Sequence, residues 1–95
     1  MYTCVAYDIS SNRTRLRASK GCKKIGLLRI QKSVFAGKTS KAQLQELESE
    51  IRELLRPKDS LVIIPLDKPS FLELVKQSNN ARLAELQKPF MLFEL

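Results

Sequence analysis

Tyr2-Thr3-Cys4-Val5-Ala6-Tyr7-Asp8-Ile9 alternates as a strand does, with Tyr2, Cys4, Ala6 and Asp8 on one face and Thr3, Val5, Tyr7 and Ile9 on the other. Both faces are largely apolar, and Leu61-Val62-Ile63-Ile64-Pro65-Leu66 has the same character. A strand that is apolar on both sides needs cover on both sides. Two helices can cover one face of a small sheet. Cover for the other is expected from a second copy of the chain.

Outward from this strand, Ser11 and Asn12 are N-cap candidates for a helix over 13–25, and Gly26 suits the C′ position that ends it. Gly21 inside that helix costs roughly 1 kcal/mol against alanine. At about 100° per residue Arg13, Arg17, Lys20 and Lys24 form one stripe, with Ala18, Cys22 and Ile25 opposite. Leu16 falls nearer the basic side, and Arg15 at the buried edge, leaning toward the strand tip. Residues 27–36 are strand-like, either as one long strand or as two short ones joined by a bend at Gln31-Lys32-Ser33. Ser40 and Gln43 make a capping box for a second helix carrying Leu44, Leu47, Ile51, Leu54 and Leu55, which Pro57 stops. Glu46, Glu48, Glu50 and Glu53 read as its solvated outer face. Beyond residue 66 the pattern is ambiguous: Ser70 with Glu73 suits a short helix, while Phe71–Val75 also suits an edge strand. Residues 89–95 read as a strand-forming tail that adds to a sheet edge, its own or a partner's.

The order is strand, helix, strand or two strands, helix, strand. It predicts one α+β domain over 1–95, a ferredoxin-like βαββαβ sandwich with an extra C-terminal strand. With 95 residues there is no room for a second domain.

Charge and composition narrow the chemistry. Residues 1–38 carry nine Lys/Arg against Asp8 alone, the one acidic residue before Glu46. Residues 39–95 carry eight bases against nine acids. Such segregation marks a face for a polyanion, and the plainer alternative is a solvated basic helix. Histidine is absent, which excludes Ser-His and Cys-His catalysis and imidazole metal sites. Cys4 and Cys22 lack metal-type spacing and read as reduced thiols of a cytoplasmic protein. No apolar run approaches the roughly 20 residues of a membrane span, and the first nine residues do not read as a signal peptide.

Asp8, isolated among cations at a strand tip, has two readings. It can begin an Asx-turn and cap the first helix, or it can bind a metal ion.

Tyr7-Asp8-Ile9-Ser10 and Arg29-Ile30-Gln31-Lys32-Ser33-Val34-Phe35, separated by an Arg-rich helix, together resemble the small CRISPR-associated nuclease-like protein that partners the CRISPR integrase in spacer acquisition. The resemblance is good over 1–38, fair through the second helix and the Ile63-Ile64-Pro65-Leu66 strand, and loose from about residue 70. It implies a homodimer formed through the sheets, with Asp8 binding a divalent metal (Mg²⁺ or Mn²⁺) at the two-fold axis. It implies activity-linked roles for Arg15, Arg17, Arg29 and Phe35. Nucleic-acid contacts are then expected from Arg13, Arg17, Lys20, Lys23, Lys24, Arg29 and Lys32. Mg²⁺ favours near-octahedral oxygen ligation, so one Asp8 makes a poor site and two across a dyad a credible one. Two functions fit: a metal-dependent phosphodiesterase acting on RNA or DNA, and a dimeric DNA-binding scaffold for the integrase. A more distant alternative is a stand-alone ribonuclease toxin of the virulence-associated family, which shares the fold.

Overall fold

The computed structural model describes residues 1–78. Seven elements follow in order: β1 (Tyr2–Asp8), α1 (Asn12–Lys24), β2 (Leu28–Gln31), β3 (Val34–Lys38), α2 (Lys41–Leu54), β4 (Ser60–Leu66) and α3 (Lys68–Gln77). The strands form one sheet in the order β2-β3-β1-β4, every neighbouring pair antiparallel. This is the ferredoxin-like βαββαβ arrangement, with β1 in the interior of the sheet. The tail at 89–95 lies outside the described residues.

Local chemistry accounts for the element ends. Ser11 is the N-cap of α1, its hydroxyl oxygen accepting from the Thr14 N–H at 3.3 Å. The helix closes through Gly26, at φ +94°: the Gly26 N–H donates to Lys23 O and the Leu27 N–H to Cys22 O, both at 3.0 Å. That pair of bonds is a Schellman closure, and the left-handed residue within it favours glycine. Gly21 does not fray the last turn. It lies against Leu47 of α2, where a Cβ would collide with the Leu47 side chain, so its absence lets the two helices approach. Ser40 caps α2 as the sequence predicts, accepting from the Gln43 N–H at 3.1 Å, while Gln43 Oε1 accepts from the Ser40 and Thr39 hydroxyls. Residues 27–36 resolve into two strands turning at Lys32-Ser33, with a register shift between Arg29 and Gln31.

The face of the sheet under α1 and α2 holds the main core: Val5, Tyr7, Ile9, Ala18, Cys22, Leu27, Phe35, Leu44, Leu47, Ile51 and Leu61. The opposite face departs from expectation. Residues 68–77 take the helical of the two readings, but the cap is Asp67, whose carboxylate accepts from the Ser70 N–H at 2.7 Å, and not Ser70. Phe71 and Val75 of this helix cover Cys4, Ile30 and Ala36, and the Phe71 ring stacks on Tyr2 with centroids 5.0 Å apart. The chain therefore supplies part of the cover assigned from sequence to a second copy. Among the described residues cover is incomplete on β4, where Val62 and Ile64 are 48% and 47% exposed. These residues pair with Ala6 and Cys4 of β1, on the face to which the alternation also assigns Asp8.

Candidate nucleic-acid interface and metal-binding position

Asp8 is the last residue of β1, paired with Ser60 of β4, and it is exposed. It does not cap α1, since Ser11 does. Among the described residues no hydrogen bond or ion pair engages its carboxylate. The turn-residue reading of Asp8 thus loses its main support, and the carboxylate stands available at the strand tip.

Beside it lies a groove of about 360 Å³ lined by Tyr7, Asp8, Ile9, Asn12, Arg15, Leu16, Ser19, Arg29, Lys32 and Ser33. Three segments build it: the β1 tip, the exposed side of α1, and the β2–β3 turn. Tyr7 N–H donates to Ser33 O at 3.0 Å, which fixes that turn against the strand tip. The lining carries three cations and one carboxylate, so its field is positive. Arg15 joins the groove as its place on the helix suggests. Leu16, 54% exposed, presents an apolar surface there.

Arg29, Phe35 and Tyr7 form a layered group beneath the groove. The Arg29 guanidinium sits 5.0 Å from the centroid of the Phe35 ring, a cation–π distance. The Phe35 and Tyr7 rings stack at 6.3 Å with 16° between planes. Phe35 is 0% exposed, so it supports Arg29 from below and cannot touch a bound strand. Burial pushes the Tyr7 hydroxyl above its ordinary range, and the neighbouring Arg29 and Arg15 cations oppose this. Burial also pushes the Cys22 thiol up, to about 12. Both cysteines are free and buried, Cys22 in the main core and Cys4 on the opposite face.

The stripe on α1 lies elsewhere. Arg17 forms an ion pair with Glu50 of α2 at 3.3 Å, both side chains more than half exposed. Lys24 lines a smaller cleft with Glu46 and Glu50, between the same two helices. Glu50 is therefore more than solvation, since it pairs with one cation of the stripe. Arg13, Lys20 and Lys23 are outside the groove. Of the residues expected to act on nucleic acid, the structure gathers Arg15, Arg29 and Lys32 with Asp8, and separates Arg13, Arg17, Lys20, Lys23 and Lys24.

Several groove residues were not legible in advance. Asn12, Ser19 and Ser33 gained their places only when α1 and the β2–β3 turn met. Asp59 was also missed. Its Oδ1 accepts from the backbone N–H and the hydroxyl of Ser10, and its Oδ2 from the Arg56 N–H, all at 2.9 Å. These bonds hold its carboxyl below the usual range, the backbone bond from Arg56 first. The Pro57-Lys58-Asp59 sequence signals a turn, but nothing in it points to Ser10.

No group of three or more His, Cys, Asp or Glu side chains suited to a metal ion occurs among the described residues. Of the carboxylates at the strand tip, Asp59 is engaged by Ser10 and Arg56 and Asp8 alone is left without a hydrogen bond among the described residues, so one chain's donors fit a divalent ion poorly unless a second carboxylate is brought to Asp8. No helix among the described residues is long and apolar enough to cross a membrane.

Residues 1–73 match the profile of the family described as CRISPR associated protein Cas2. Relatives include a CRISPR-associated endoribonuclease Cas2 of Archaeoglobus fulgidus, 36% identical over 67 residues, covering 70% of this chain and 71% of that one. Another, from Pyrobaculum aerophilum, is 38% identical over 56 residues, covering 59% of this chain and 62% of that one. A third, from Thermoproteus tenax, is a Cas1/Cas2 fusion, 32% identical over 69 residues that cover 72% of this chain and 26% of the fusion. Among solved structures, a hypothetical protein from Thermus thermophilus superposes with TM-score 0.61 at 33% identity, covering 70% of this chain and 80% of that one. Cas2 of Streptococcus pyogenes gives 0.60 at 30% identity, covering 72% and 88%.

Proposed function

The chain belongs to the CRISPR associated protein Cas2 family, and from that premise we propose that it serves CRISPR spacer acquisition as a homodimeric nucleic-acid-binding scaffold for the integrase. The observation that carries this reading is the groove at the strand tip. It gathers Arg15, Arg29 and Lys32 with an exposed Asp8 on the α1 side of the β1 tip. Phosphate contacts from such cations hold a nucleic acid in place without reading its sequence. The Cas1/Cas2 fusion in a relative joins the two proteins in one chain there, and supports the integrase as the partner here.

Metal-dependent hydrolysis of a phosphodiester in RNA or DNA is the accompanying activity of this proposal. Asp8 residues of two copies would hold the ion, Mg²⁺ or Mn²⁺, which when bound supplies Lewis-acid stabilisation and activates water. The chain's own cations have a separate task. Arg29, supported by Phe35, and Arg15 stand where a phosphate entering the groove would lie. Arg17, engaged with Glu50 across the helix pair, is assigned no part in that step. The relatives described are named as CRISPR-associated proteins, which favours this reading over a stand-alone toxin.

The test compares wild type, Asp8→Asn and Arg15→Ala/Arg29→Ala/Lys32→Ala in a Mg²⁺-dependent cleavage assay and in an integration assay with the partner integrase. Asp8→Asn is expected to abolish cleavage and to spare the dimer on gel filtration; unchanged cleavage sinks the catalytic part. The triple variant is expected to weaken duplex binding and lower the slope of log affinity against log salt by about 0.9 for each phosphate that is no longer neutralised. An unchanged slope, with a reduced one on mutating Arg13, Lys20 and Lys24, moves the interface to the outer side of α1.

A further inference from the structure

Asp59 is placed to govern the groove from outside it. Its carboxylate collects three donors, two from Ser10 and one from Arg56, and the Asp59 N–H returns a bond to Arg56 O at 2.9 Å. Ser10 and Asp59 are 49 positions apart in the chain. Ser10 lies in the short link between Asp8 and the cap of α1. Ser60, next to Asp59, is the residue that pairs with Asp8. The turn before β4 thus grips the strand tip twice, once through the ladder at Asp8 and once through the Asp59 carboxylate two residues further on.

The other anchor of this link is Ile9, buried in the main core. Burial of Ile9 fixes the depth of the link, while backbone orientation at Ser10 is set by a directional, charge-assisted acceptor. That orientation decides where α1 starts, and hence where Asn12 and Arg15 stand relative to Asp8.

We propose that Asp59 is a positioning residue for the strand-tip site: by holding Ser10 it sets the separation between the Asp8 carboxylate and the first turn of α1. The proposal rests on the groove being the functional site. At neutral pH the carboxylate is anionic, its proton disfavoured by the same hydrogen bonds.

The experiment uses the full chain as wild type, Asp59→Asn and Ser10→Ala, followed by amide hydrogen exchange, backbone amide chemical shifts and Mg²⁺-dependent cleavage. Asp59→Asn preserves shape but replaces one acceptor oxygen with a donor. It is expected to speed exchange at Ser10 by about tenfold or more, with Val5 in the core unchanged. Shifts are expected at Asp8, Asn12 and Arg15, with none on β3. Cleavage is expected to lose about tenfold in kcat with KM within about twofold, the signature of misplacement and not of lost binding. Ser10→Ala, which keeps the backbone bond, should move the same amides less and covers the case in which Asp59→Asn fails to fold. Unchanged exchange at Ser10, an equal rise at Val5, or unmoved Asp8 and Arg15 signals would each overturn the proposal. A wild type without cleavage sinks the catalytic reading alone, because exchange and shifts still decide whether Asp59 positions the tip.

Discussion

Under α1 and α2 the sheet is closed, with Phe35 and Ile51 shut away from solvent, whereas across the sheet Val62 and Ile64 stand nearly half exposed beside α3. The same strands supply both layers. Among the described residues the difference lies in the covers: two long amphipathic helices on one side, and on the other a ten-residue helix with Phe71 and Val75 in the buried layer. Folding stability should then reside mainly in the first layer. Among the described residues the β4 side of the second layer stays open.

The sharpest way to break this contrast is Phe35→Ala. Removing a fully buried ring from the closed face is expected to cost about 3–5 kcal/mol in chemical denaturation; a cost under about 1 kcal/mol would show that the main core lies elsewhere. Phe71→Ala is expected to cost less, no more than about 3 kcal/mol, because α3 can loosen without unfolding the sheet. Amide exchange in α3 should then rise ahead of exchange in β1. Equal global losses from the two variants would erase the distinction between the faces.

The closed face also carries a pH signature. The Cys22 thiol titrates at its ordinary 9.0 when unfolded and at about 12 when folded. Between these values the unfolded chain holds fewer protons than the folded one, so stability falls as pH rises from 9 toward 12. Cys22→Ala should flatten that fall when midpoints are compared across the window, and an unaltered slope would assign it to other groups. Asp59 acts at the opposite end: its lowered pKa gives stability that is present above the ordinary carboxylate range and lost as pH falls through the folded value.

The smallest effect on folding is expected on the open side. Val62→Asp with Ile64→Asp is expected to cost monomer stability less than Phe71→Ala, no more than about 2 kcal/mol, because both side chains are already about half exposed. If a second copy covers this patch, gel filtration should shift the pair of changes to monomer. A dimer that persists would place the interface elsewhere.

Legibility in the sequence followed the range of the interaction. Ser11, Gly26 and Ser40 act within a few residues of the helix ends they terminate, and those ends fell where predicted. The Arg13/Arg17/Lys20/Lys24 stripe was readable as a stripe, but not its direction, because a helical projection has no information about the neighbouring helix. The ion pair with Glu50 of α2 settled it for Arg17. α3 was ambiguous because Phe71, Leu72, Leu74 and Val75 satisfy a helical and an alternating pattern almost equally. The Asp67 cap and the apolar surface of β1 and β3 decided it.

The Asp8 strand tip shows both halves of the problem. The sequence by itself determined a two-faced strand ending in a lone carboxylate, a helix rich in arginine behind it, and a chemistry without histidine, since each is a property of residue identity and local spacing. Tertiary structure decided that Arg15, Arg29 and Lys32 converge there while Arg17 turns away. It also decided that Ser11 and not Asp8 caps the helix, and that Asp59 grips the link from 49 positions away. Those outcomes depend on where rigid elements cross, a relation set by packing over the whole core and carried by no short stretch of the chain.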